Sequence, residues 1–543
     1  PVTGNLTFEI PIIKEKSSLI VGARATYSDW LLNATNEEKL ENSKASFYDA
    51  IIKYTHEFNE NNSLLATAYF SNDKYSIASD SLYGYSNTLL SLNWNHRFNE
   101  KNKGSLILAH SSYDFNIDYD NKNGNSNFNF AYDVNETEVK LFMSYIPNNK
   151  HSIDYGISGK FYSNSPGKKT PKGNNSIVNA LTIDKEQALE SALFITDDFS
   201  ISENVAINVG LRYSYYAFLG NTDQIIYAQN SPRNEETAID TLNFGKNKVV
   251  KNYGGPELRL SARYSLSPSL SIKASYNNNF QFIHTLSNNT TASPSDTWKL
   301  SDYNIKPQRA QQVSLGLYNN IDGNTYELSI ESYYKKLKNT LDYKVGAELL
   351  FNNTIETEIL QGDGKAYGLE FLVKKNKGRL NGWIGYTYSK SLVKLDSKFS
   401  ENRVNNGKYF NSNYDKPHDL SIVANYKLTK RYSFSANFLY QTGRPVTYPI
   451  GKYEFEGEQY VFYSERNKFR IPNYYRLDLG INIEGNHKIK KFAHSFWNIS
   501  VYNVLGRNNP LSVFFVTEDG GIKAYKSSVF SVPVPTITYN FKF

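Results

Sequence analysis

The chain has 543 residues, none of them Cys, and its 60 basic and 53 acidic side chains give a formal net charge of +7. The lack of Cys excludes a disulfide framework and Cys-ligated metal sites, and so mild a charge excess over so long a chain gives no indication of nucleic-acid binding. No run of about 20 apolar residues occurs, which excludes transmembrane helices.

The mean hydropathy of −0.54 would suit a water-soluble protein. A transmembrane β-barrel has the same hydropathy, because only every second residue of each strand faces lipid. Aromatic residues make up 15% of the chain, with 43 Tyr among them. The ring and hydroxyl of Tyr suit a membrane–water interface, so the composition favours the barrel.

Alternation of apolar and polar residues with a period of two recurs along the chain and predicts β-strands. In residues 205–215, for example, Val205, Ile207 and Val209 share one face, while Asn208 and Gly210 lie on the other. The predicted strands occupy residues 5–13, 18–28, 45–58, 63–71, 87–98, 104–118, 127–146, 152–162, 187–200, 205–217, 253–266, 269–282, 306–320, 324–337, 365–375, 380–391, 416–428, 432–442, 472–485, 493–516 and 523–543.

The lengths of the connections between these strands alternate between short and long. Short connections lie near residues 59–62, 99–103, 147–150, 202–204, 267–269, 322–324, 376–378 and 429–431. Long polar segments lie near residues 29–44, 163–186, 217–252, 283–304, 339–364, 392–414 and 443–470. Outer-membrane barrels have short periplasmic turns and long extracellular loops. In a soluble β-sandwich, short and long loops are not expected to alternate in this way.

The predicted fold class is therefore all-β: a transmembrane antiparallel β-barrel in the bacterial outer membrane, with lipid and lipopolysaccharide around it. Residues 1–543 form a single barrel domain with 21 visible strands. Because closed barrels of this kind need an even number of strands, we expect one more strand before Pro1, which gives about 22. The chain starts without a signal peptide, which favours a processed or truncated product.

Several segments resemble the barrel of the TonB-dependent receptor family, in the group that has a carboxypeptidase-regulatory-like domain and a plug before the barrel. Residues 6–16 (LTFEIPIIKEK) with 17–30 are similar to its early barrel, and residues 296–299 (DTWK) with 305–316 to its middle. Residues 414–420 (YDKPHDL) and 497–510 are similar to later strands. The last strand, which ends on Phe543, is typical of outer-membrane proteins.

The resemblance implies import of a scarce solute through a plugged barrel, energised by an inner-membrane coupling protein. The plug, the regulatory domain and the coupling segment do not occur in residues 1–543, and we expect them upstream of residue 1. The resemblance implies no enzymatic activity and no cofactor, and no nucleophile motif such as Gly-x-Ser-x-Gly occurs. The eight His residues do not pair at zinc-ligand spacings, so we expect neither a catalytic nor a metal site.

Aromatic rings beside amides and hydroxyls in the long loops are candidates for binding a solute by stacking and hydrogen bonding. The candidates are Tyr227, Trp298, Tyr303, Tyr409, Phe410 and Tyr414. Packing of the loops against one another is a simpler role for any one of these rings. Other functions also stay open at this point: a passive porin, or a receptor-like barrel that serves as a structural subunit of an outer-membrane complex with a surface lipoprotein as its lid.

Overall fold

The computed structural model describes most of the chain, but the predicted loop at 29–44 lies almost wholly outside the described residues. The described residues are 3–27, 43–76, 81–121, 125–287, 296–344, 346–349, 352–455, 458–485, 494–510, 512–518, 521–528 and 531–542. Among them, no helix has the length and apolar character needed to cross a bilayer. Their helical structure consists of four single 3₁₀ turns, Glu235–Thr237, Ile355–Thr357, Ser400–Asn402 and Asn405–Gly407.

Strands account for nearly all of the regular structure. In chain order they are β1 (Thr3–Ile13), β2 (Ser17–Tyr27), β3 (Lys44–Asn59), β4 (Asn62–Ser76), β5 (Ser81–Arg97), β6 (Asn102–Tyr119), β7 (Phe128–Asn148), β8 (His151–Pro171), β9 (Leu181–Thr182), β10 (Glu186–Ser200), β11 (Val205–Leu219), β12 (Thr222–Tyr227), β13 (Ala238–Phe244), β14 (Val249–Ser265), β15 (Leu270–Gln281), β16 (Ile283–Leu286), β17 (Thr297–Leu300), β18 (Gln308–Ile321), β19 (Tyr326–Tyr343), β20 (Ile359–Lys375), β21 (Leu380–Lys394), β22 (Phe410–Asn411), β23 (His418–Lys427), β24 (Tyr432–Gln441), β25 (Pro445–Val446), β26 (Pro449–Phe455), β27 (Glu458–Tyr463), β28 (Phe469–Arg470), β29 (Tyr474–Glu484), β30 (His494–Tyr502), β31 (Ser512–Glu518), β32 (Gly521–Ser527) and β33 (Val534–Lys542).

One antiparallel sheet contains 23 of these strands, and two of them, β9 and β22, are only two residues long. The remaining 21 pair in chain order, each with the next, from β1–β2 to β30–β33. This is the up-and-down order predicted for a transmembrane barrel, and it confirms the fold class. The other ten strands form five two-stranded sheets in the connections.

The two faces of the sheet differ in chemistry. Val209, Leu260, Tyr276 and Val313 are register partners across four neighbouring strands, and about half of the surface of Val209 and Val313 is exposed. Exposed aliphatic and aromatic side chains continue in this way from strand to strand around the sheet. Since neighbouring residues of a strand point to opposite faces, the polar side chains between them face the lumen. The apolar face is therefore the one that contacts lipid.

All eight predicted short connections join consecutive strands of the sheet and lie at one rim. Turn residues with positive φ, such as Asp322, Gly323 and Asn324, allow the chain to reverse there. The expected alternation of lengths is wrong at one place: only residues 77–80 connect β4 to β5. The two strands extend to Ser76 and from Ser81, well beyond the predicted 63–71 and 87–98. Their ends pair as far as Tyr75 with Tyr83, whose rings stack, although residues 71–74 are polar and do not alternate.

The predicted strands 493–516 and 523–543 are also wrong in their bounds. The first ends at Tyr502, because Asn503 and Gly506 have φ values of 55° and 59°, which turn the chain out of the sheet. Apolar residues after this turn form the hairpin β31–β32 in the loop, and the last barrel strand starts at Val534. Apolar alternation alone does not distinguish a loop hairpin from a barrel strand.

Candidate functional site

At the extracellular end of the barrel, strands β16 and β17 form a hairpin that lies against the barrel wall. We call it the inner hairpin. Its strands pair from Ile283 with Leu300 to Leu286 with Thr297. Leu300 and, just after it, Ile305 are completely buried. The hairpin is thus part of the packed structure of the mouth.

A buried cluster of charges, which we call the charged anchor, fixes the inner hairpin to the wall. The Lys299 ammonium donates to Glu186, at the start of β10, and to Asp302 Oδ2 at 2.6 Å. The backbone N–H of Leu300 donates to Glu186 Oε2 at 2.9 Å. Burial lowers the pKa of Lys299, but Asp302 and Glu186 outweigh burial and raise this pKa above its usual range. Lys299 is therefore fully charged at neutral pH.

Side chains of four further wall strands bind the backbone of the inner hairpin and of the turn after it. Tyr132 on β7 donates to the Asp296 carbonyl at 2.9 Å, and Asn164 on β8 to the Trp298 carbonyl at 2.7 Å. Two more donors are Tyr216 on β11, to the Ser301 carbonyl at 2.7 Å, and Tyr253 on β14, to the Asp302 carbonyl at 2.8 Å. Backbone groups that leave a sheet need such partners when they are buried.

His284, on β16, is buried beside the charged anchor. Its Nε2 lies 2.9 Å from Ser301 Oγ. Burial, and then the positive charge of Lys299, lower the pKa of His284 to about 4. The imidazole is therefore neutral at neutral pH, and it adds no second positive charge next to Lys299.

An aromatic wall covers the upper lumen face of β4–β7 and contacts the inner hairpin. Tyr75 and Tyr83 stack with ring centroids 4.9 Å apart, and Phe115 and Tyr132 lie 5.0 Å apart. Trp298 packs against this cluster. Rings with polar rims on one side of the mouth can stack on planar or ring-shaped groups of a solute.

A basic pocket of about 330 Å³ lies between β23, β24, β29 and β30, and Lys416, Arg444 and Arg476 contribute to its lining. Arg476 donates to the hydroxyls of Tyr474 and Tyr502 at 2.8 and 2.7 Å. Burial and the neighbouring Arg444 lower the pKa of Lys416. Arg476 also pairs with Asp478 Oδ2 at 3.0 Å, so its charge is already compensated, and Lys416 is the lining cation that suits an anionic group of a solute.

The structure does not bring the six sequence-predicted aromatic residues together in one cluster. Tyr227, on β12, donates to Glu356 Oε1 at 2.9 Å, and burial, followed by the charge of Glu356, raises its pKa. Trp298 lies on the inner hairpin. Tyr303 is exposed, and Lys251 Nζ lies 5.4 Å from its ring centroid.

The other three predicted residues lie in or next to the connection between β21 and β23. Lys365 Nζ lies 4.1 Å from the ring centroid of Tyr409, and Phe410 is buried in a cluster of loop and strand side chains. Tyr414 has 70% of its surface exposed. Partial desolvation and the charge of Asp296 raise the pKa of Tyr414, and Arg444 lowers it. The role of Tyr414 in binding stays a prediction.

Comparison with protein families identifies the barrel. A family model described as "TonB dependent receptor-like, beta-barrel" matches residues 18–504, which is most of the chain. The chain belongs to this receptor family. The receptor is thus an outer-membrane β-barrel protein of a family of transport receptors, and the resemblance noted from the sequence is confirmed. A comparison with curated proteins gives no match.

Solved structures similar to the receptor include other barrels of this kind. The ferric-catecholate import receptor Fiu of E. coli shares 12% identity with a TM-score of 0.63, over 99% of this chain and 79% of Fiu. The ferripyoverdine receptor of Pseudomonas aeruginosa also shares 12% identity with a TM-score of 0.63, over 99% of this chain and 69% of that receptor. The copper transporter OprC shares 12%, over 96% of this chain and 77% of OprC, with a TM-score of 0.63. At these identities the likeness shows the fold.

Sequence reasoning missed the charged anchor and the basic pocket of the receptor. Glu186 and Lys299 are 113 positions apart, and nothing local indicates that they meet. A partial signal was present, since Lys299 interrupts the apolar pattern between Trp298 and Leu300. Lys416 and Arg444 lie in different loops and come together only through the pairing of β23 with β24.

Proposed function

We propose that the receptor captures a scarce solute at the cell surface and imports it across the outer membrane. The observation that carries this proposal is the preformed vestibule: the inner hairpin is held in the mouth by buried charges and packs against an aromatic wall, and the basic pocket lies beside β23, β24, β29 and β30. A site whose walls are already ordered loses little conformational entropy on binding, which suits capture at low concentration. The basic pocket favours a solute with an anionic group.

We further propose that a plug fills the lumen and that an inner-membrane coupling protein energises its movement. A barrel of this width would otherwise be a water-filled channel. The described lumen face carries ion pairs such as Arg24 with Asp49 and Lys160 with Glu136, which are at least partly exposed and can form hydrogen bonds to a plug. The plug and its coupling segment belong, in this proposal, to chain upstream of residue 1.

Growth of cells that carry or lack the full-length gene tests the proposal. The limiting nutrient is supplied in turn as a ferric chelate, a copper salt, a vitamin, an oligosaccharide or a peptide, at concentrations too low for diffusion. We expect the gene to support growth on one of these classes, and a protonophore to abolish uptake of that nutrient. Uptake that persists without the proton gradient, together with a large steady conductance of the purified full-length protein, would instead identify a passive porin.

A second function is favoured by a separate observation, the exposed apolar side chains on the extracellular loops. Ile177 has 79% of its surface exposed, Ile239 65% and Phe462 58%, although lipid does not reach these loops. Apolar side chains that form one contiguous exposed patch mark a protein interface, whereas scattered ones are ordinary surface, so this function requires that the three side chains belong to one patch. The barrel would then be a subunit of an outer-membrane complex, with a surface lipoprotein over the loops. Co-purification of a stoichiometric lipoprotein, lost in an Ile177→Ser/Ile239→Ser variant, would support this function.

A further inference from the structure

Cations are concentrated on the outer surface of β18, β19 and β20, towards the extracellular ends of these strands. We call them the basic row: Arg309, Lys336, Lys338 and Lys365. Each lies an even number of residues from a lipid-facing side chain of its own strand, such as Val313, Tyr334 or Tyr367. Since residues two apart share one face of a strand, the basic row projects from the outside of the barrel and not into the lumen.

The basic row lies at the level of the outer-leaflet headgroups. Tyr326 and Tyr334 are both exposed on the outer face of β19, at its two ends. At ~3.3 Å per residue and a strand tilt of ~40°, the distance between them covers about 20 Å of an apolar band that is ~25 Å tall. Tyr326 follows a short periplasmic turn, so Tyr334 belongs to the aromatic girdle of the outer leaflet, and Lys336 lies just above it.

Like charges lie directly opposite one another in the basic row. Arg309 is the register partner of Lys338, and Lys336 is the register partner of Lys365. Like charges at directly opposite positions of a sheet destabilise it. Lys365 Nζ also lies 4.1 Å from the ring centroid of Tyr409, and a ring attracts a cation without cancelling its charge.

The chain itself supplies little negative charge to the basic row. Asp363 is the register partner of Lys338, but in the described part of the chain no carboxylate forms an ion pair with a cation of the row. On the neighbouring strand β21, by contrast, Lys394 pairs with Asp396 at 3.0 Å. The repulsion within the basic row is therefore one that a bound anion can relieve.

An apolar groove directly below the basic row, on the same outer face, is an independent observation. It has a volume of about 640 Å³, and its lining includes Leu315, Ser332, Tyr334, Tyr367, Leu369 and Tyr388. Ser332 is the small residue at its floor, between the register partners Leu315 and Leu369. The Ser332 hydroxyl donates to the Leu315 carbonyl at 3.3 Å, so it offers no free polar group to the groove. The groove therefore suits a hydrocarbon chain.

The groove and the basic row together indicate one class of ligand. Ser332 and Lys336 share one face of β19, and their separation in sequence places the cations ~13 Å along the strand from the groove floor. A lipid with a phosphate in its headgroup and an acyl chain beneath it can occupy both at once. A soluble anion leaves the groove unused, and a lipid without net charge does not relieve the repulsion.

We propose that the outer face of β18–β20 binds a phosphorylated lipid of the outer leaflet, of the lipopolysaccharide type. Its phosphate would lie on the basic row and one acyl chain in the groove. The site is on the outside of the barrel, apart from the vestibule, and it does not require that the receptor imports anything. Failure of the uptake experiment would therefore leave this inference standing, and the reverse also holds.

Native mass spectrometry of the purified full-length receptor, freed of lipid in detergent, tests the proposal with three probes: bisphosphorylated lipid A, the same lipid A without phosphates, and phosphatidylglycerol. We expect the bisphosphorylated lipid A to bind at least about tenfold more tightly than the other two. In Lys336→Gln/Lys365→Gln its affinity should fall at least about tenfold, since each cation near a lipid headgroup contributes about 1 kcal/mol. The matched control is Lys101→Gln/Lys430→Gln, which removes two exposed lysines from short turns at the periplasmic rim.

Two further measurements separate the groove from the charges. Ser332→Phe fills the groove and leaves the basic row intact, and we expect it to weaken lipid A binding several-fold. Without lipid, Lys336→Gln/Lys365→Gln should unfold at an equal or higher temperature than the unaltered receptor, because the like-charge repulsion is gone. With lipid A in excess, the unaltered receptor should gain more stability than this variant, since a ligand stabilises the form that binds it.

The proposal is overturned if bisphosphorylated lipid A does not bind, or if either of the other two lipids binds as tightly. It is also overturned if Lys336→Gln/Lys365→Gln binds lipid A as tightly as Lys101→Gln/Lys430→Gln, or if Ser332→Phe leaves the affinity unchanged. Equal binding of phosphatidylglycerol would identify a surface that attracts any anionic lipid.

Discussion

Replacement of Lys299 by Met is the most direct test of the charged anchor. Met has a similar length and no charge, so the change leaves Glu186 and Asp302 as two buried, uncompensated carboxylates. The side chains of Lys299, Glu186 and Asp302 are only 10%, 9% and 5% exposed, so water cannot screen them. Breaking a buried ion pair in this way costs about 3–5 kcal/mol. That corresponds to a factor of roughly 10² to 4 × 10³ in the equilibrium between a docked and an undocked inner hairpin.

Hydrogen exchange measured by mass spectrometry is the appropriate assay, because the loss is local and the barrel strands stay folded. We expect peptides that contain β17 to exchange faster by a factor of roughly 10² to 4 × 10³ in Lys299→Met, and peptides from β5 and β6 to be unchanged. Lys306→Met is the matched control, since Lys306 is exposed in the same connection.

A triple variant separates charge from shape. Lys299→Met with Glu186→Gln and Asp302→Asn removes all three charges, and we expect it to recover much of the lost protection, because no buried charge is left without a partner. If exchange of β17 in Lys299→Met equals that in Lys306→Met, the buried charges do not hold the inner hairpin, and the reasoning is refuted.

Three further predictions concern other parts of the mouth and the barrel. The pKa of His284 is lowered to about 4 in the fold, so docking of the inner hairpin should weaken as pH falls from about 6.5 towards 4, by roughly 2 kcal/mol at pH 5. Hydrogen exchange of β17 measured against pH should show this loss, and an equal loss in His284→Gln would exclude His284 as its cause. Tyr227→Phe leaves Glu356 without its hydroxyl donor and should destabilise the β12–β13 hairpin by about 1 kcal/mol, seen as faster proteolysis there than in Tyr303→Phe. Gly382 has a φ of 147°, and a Cβ at this position would clash with the Val423 carbonyl. Gly382→Ala should therefore reduce the folded fraction on heat-modifiability gels, whereas the control Gly385→Ala should have a much smaller effect.

The barrel was predictable because its rules are local. The alternation of apolar and polar residues around Val209 depends on a few neighbouring residues, and so does the turn at Asp322, Gly323 and Asn324. Every strand that crosses the membrane shows the same alternation, because one of its faces always contacts lipid. The number of strands followed from repetition of these patterns. Errors arose where the same local pattern serves another purpose, as in the hairpin after Gly506.

For the mouth of the barrel, the sequence predicted which residue types occur in the loops but not where they lie. Tyr and Trp in the loops indicated a binding surface, but Phe410 turned out to lie in a packed cluster and Tyr414 in the open. Where a loop residue lies depends on partners more than a hundred positions away, such as Asn164, which donates to the backbone carbonyl of Trp298. A single sequence contains no local signal for such pairs, and the charged anchor was missed for the same reason.

Because the charged anchor is buried, ionic strength should affect the shape of the mouth much less than it affects the rate at which the mouth binds a charged solute. Salt screens exposed charges over a distance of about 10 Å at 0.1 M, but it acts weakly on pairs that water does not reach. The inner hairpin should therefore keep one geometry at low and at high ionic strength. The basic pocket is open to solvent, so the rate at which it attracts an anionic solute falls as salt rises. If the receptor captures an anionic solute as proposed, its selectivity then stays constant while the rate of capture changes with salt.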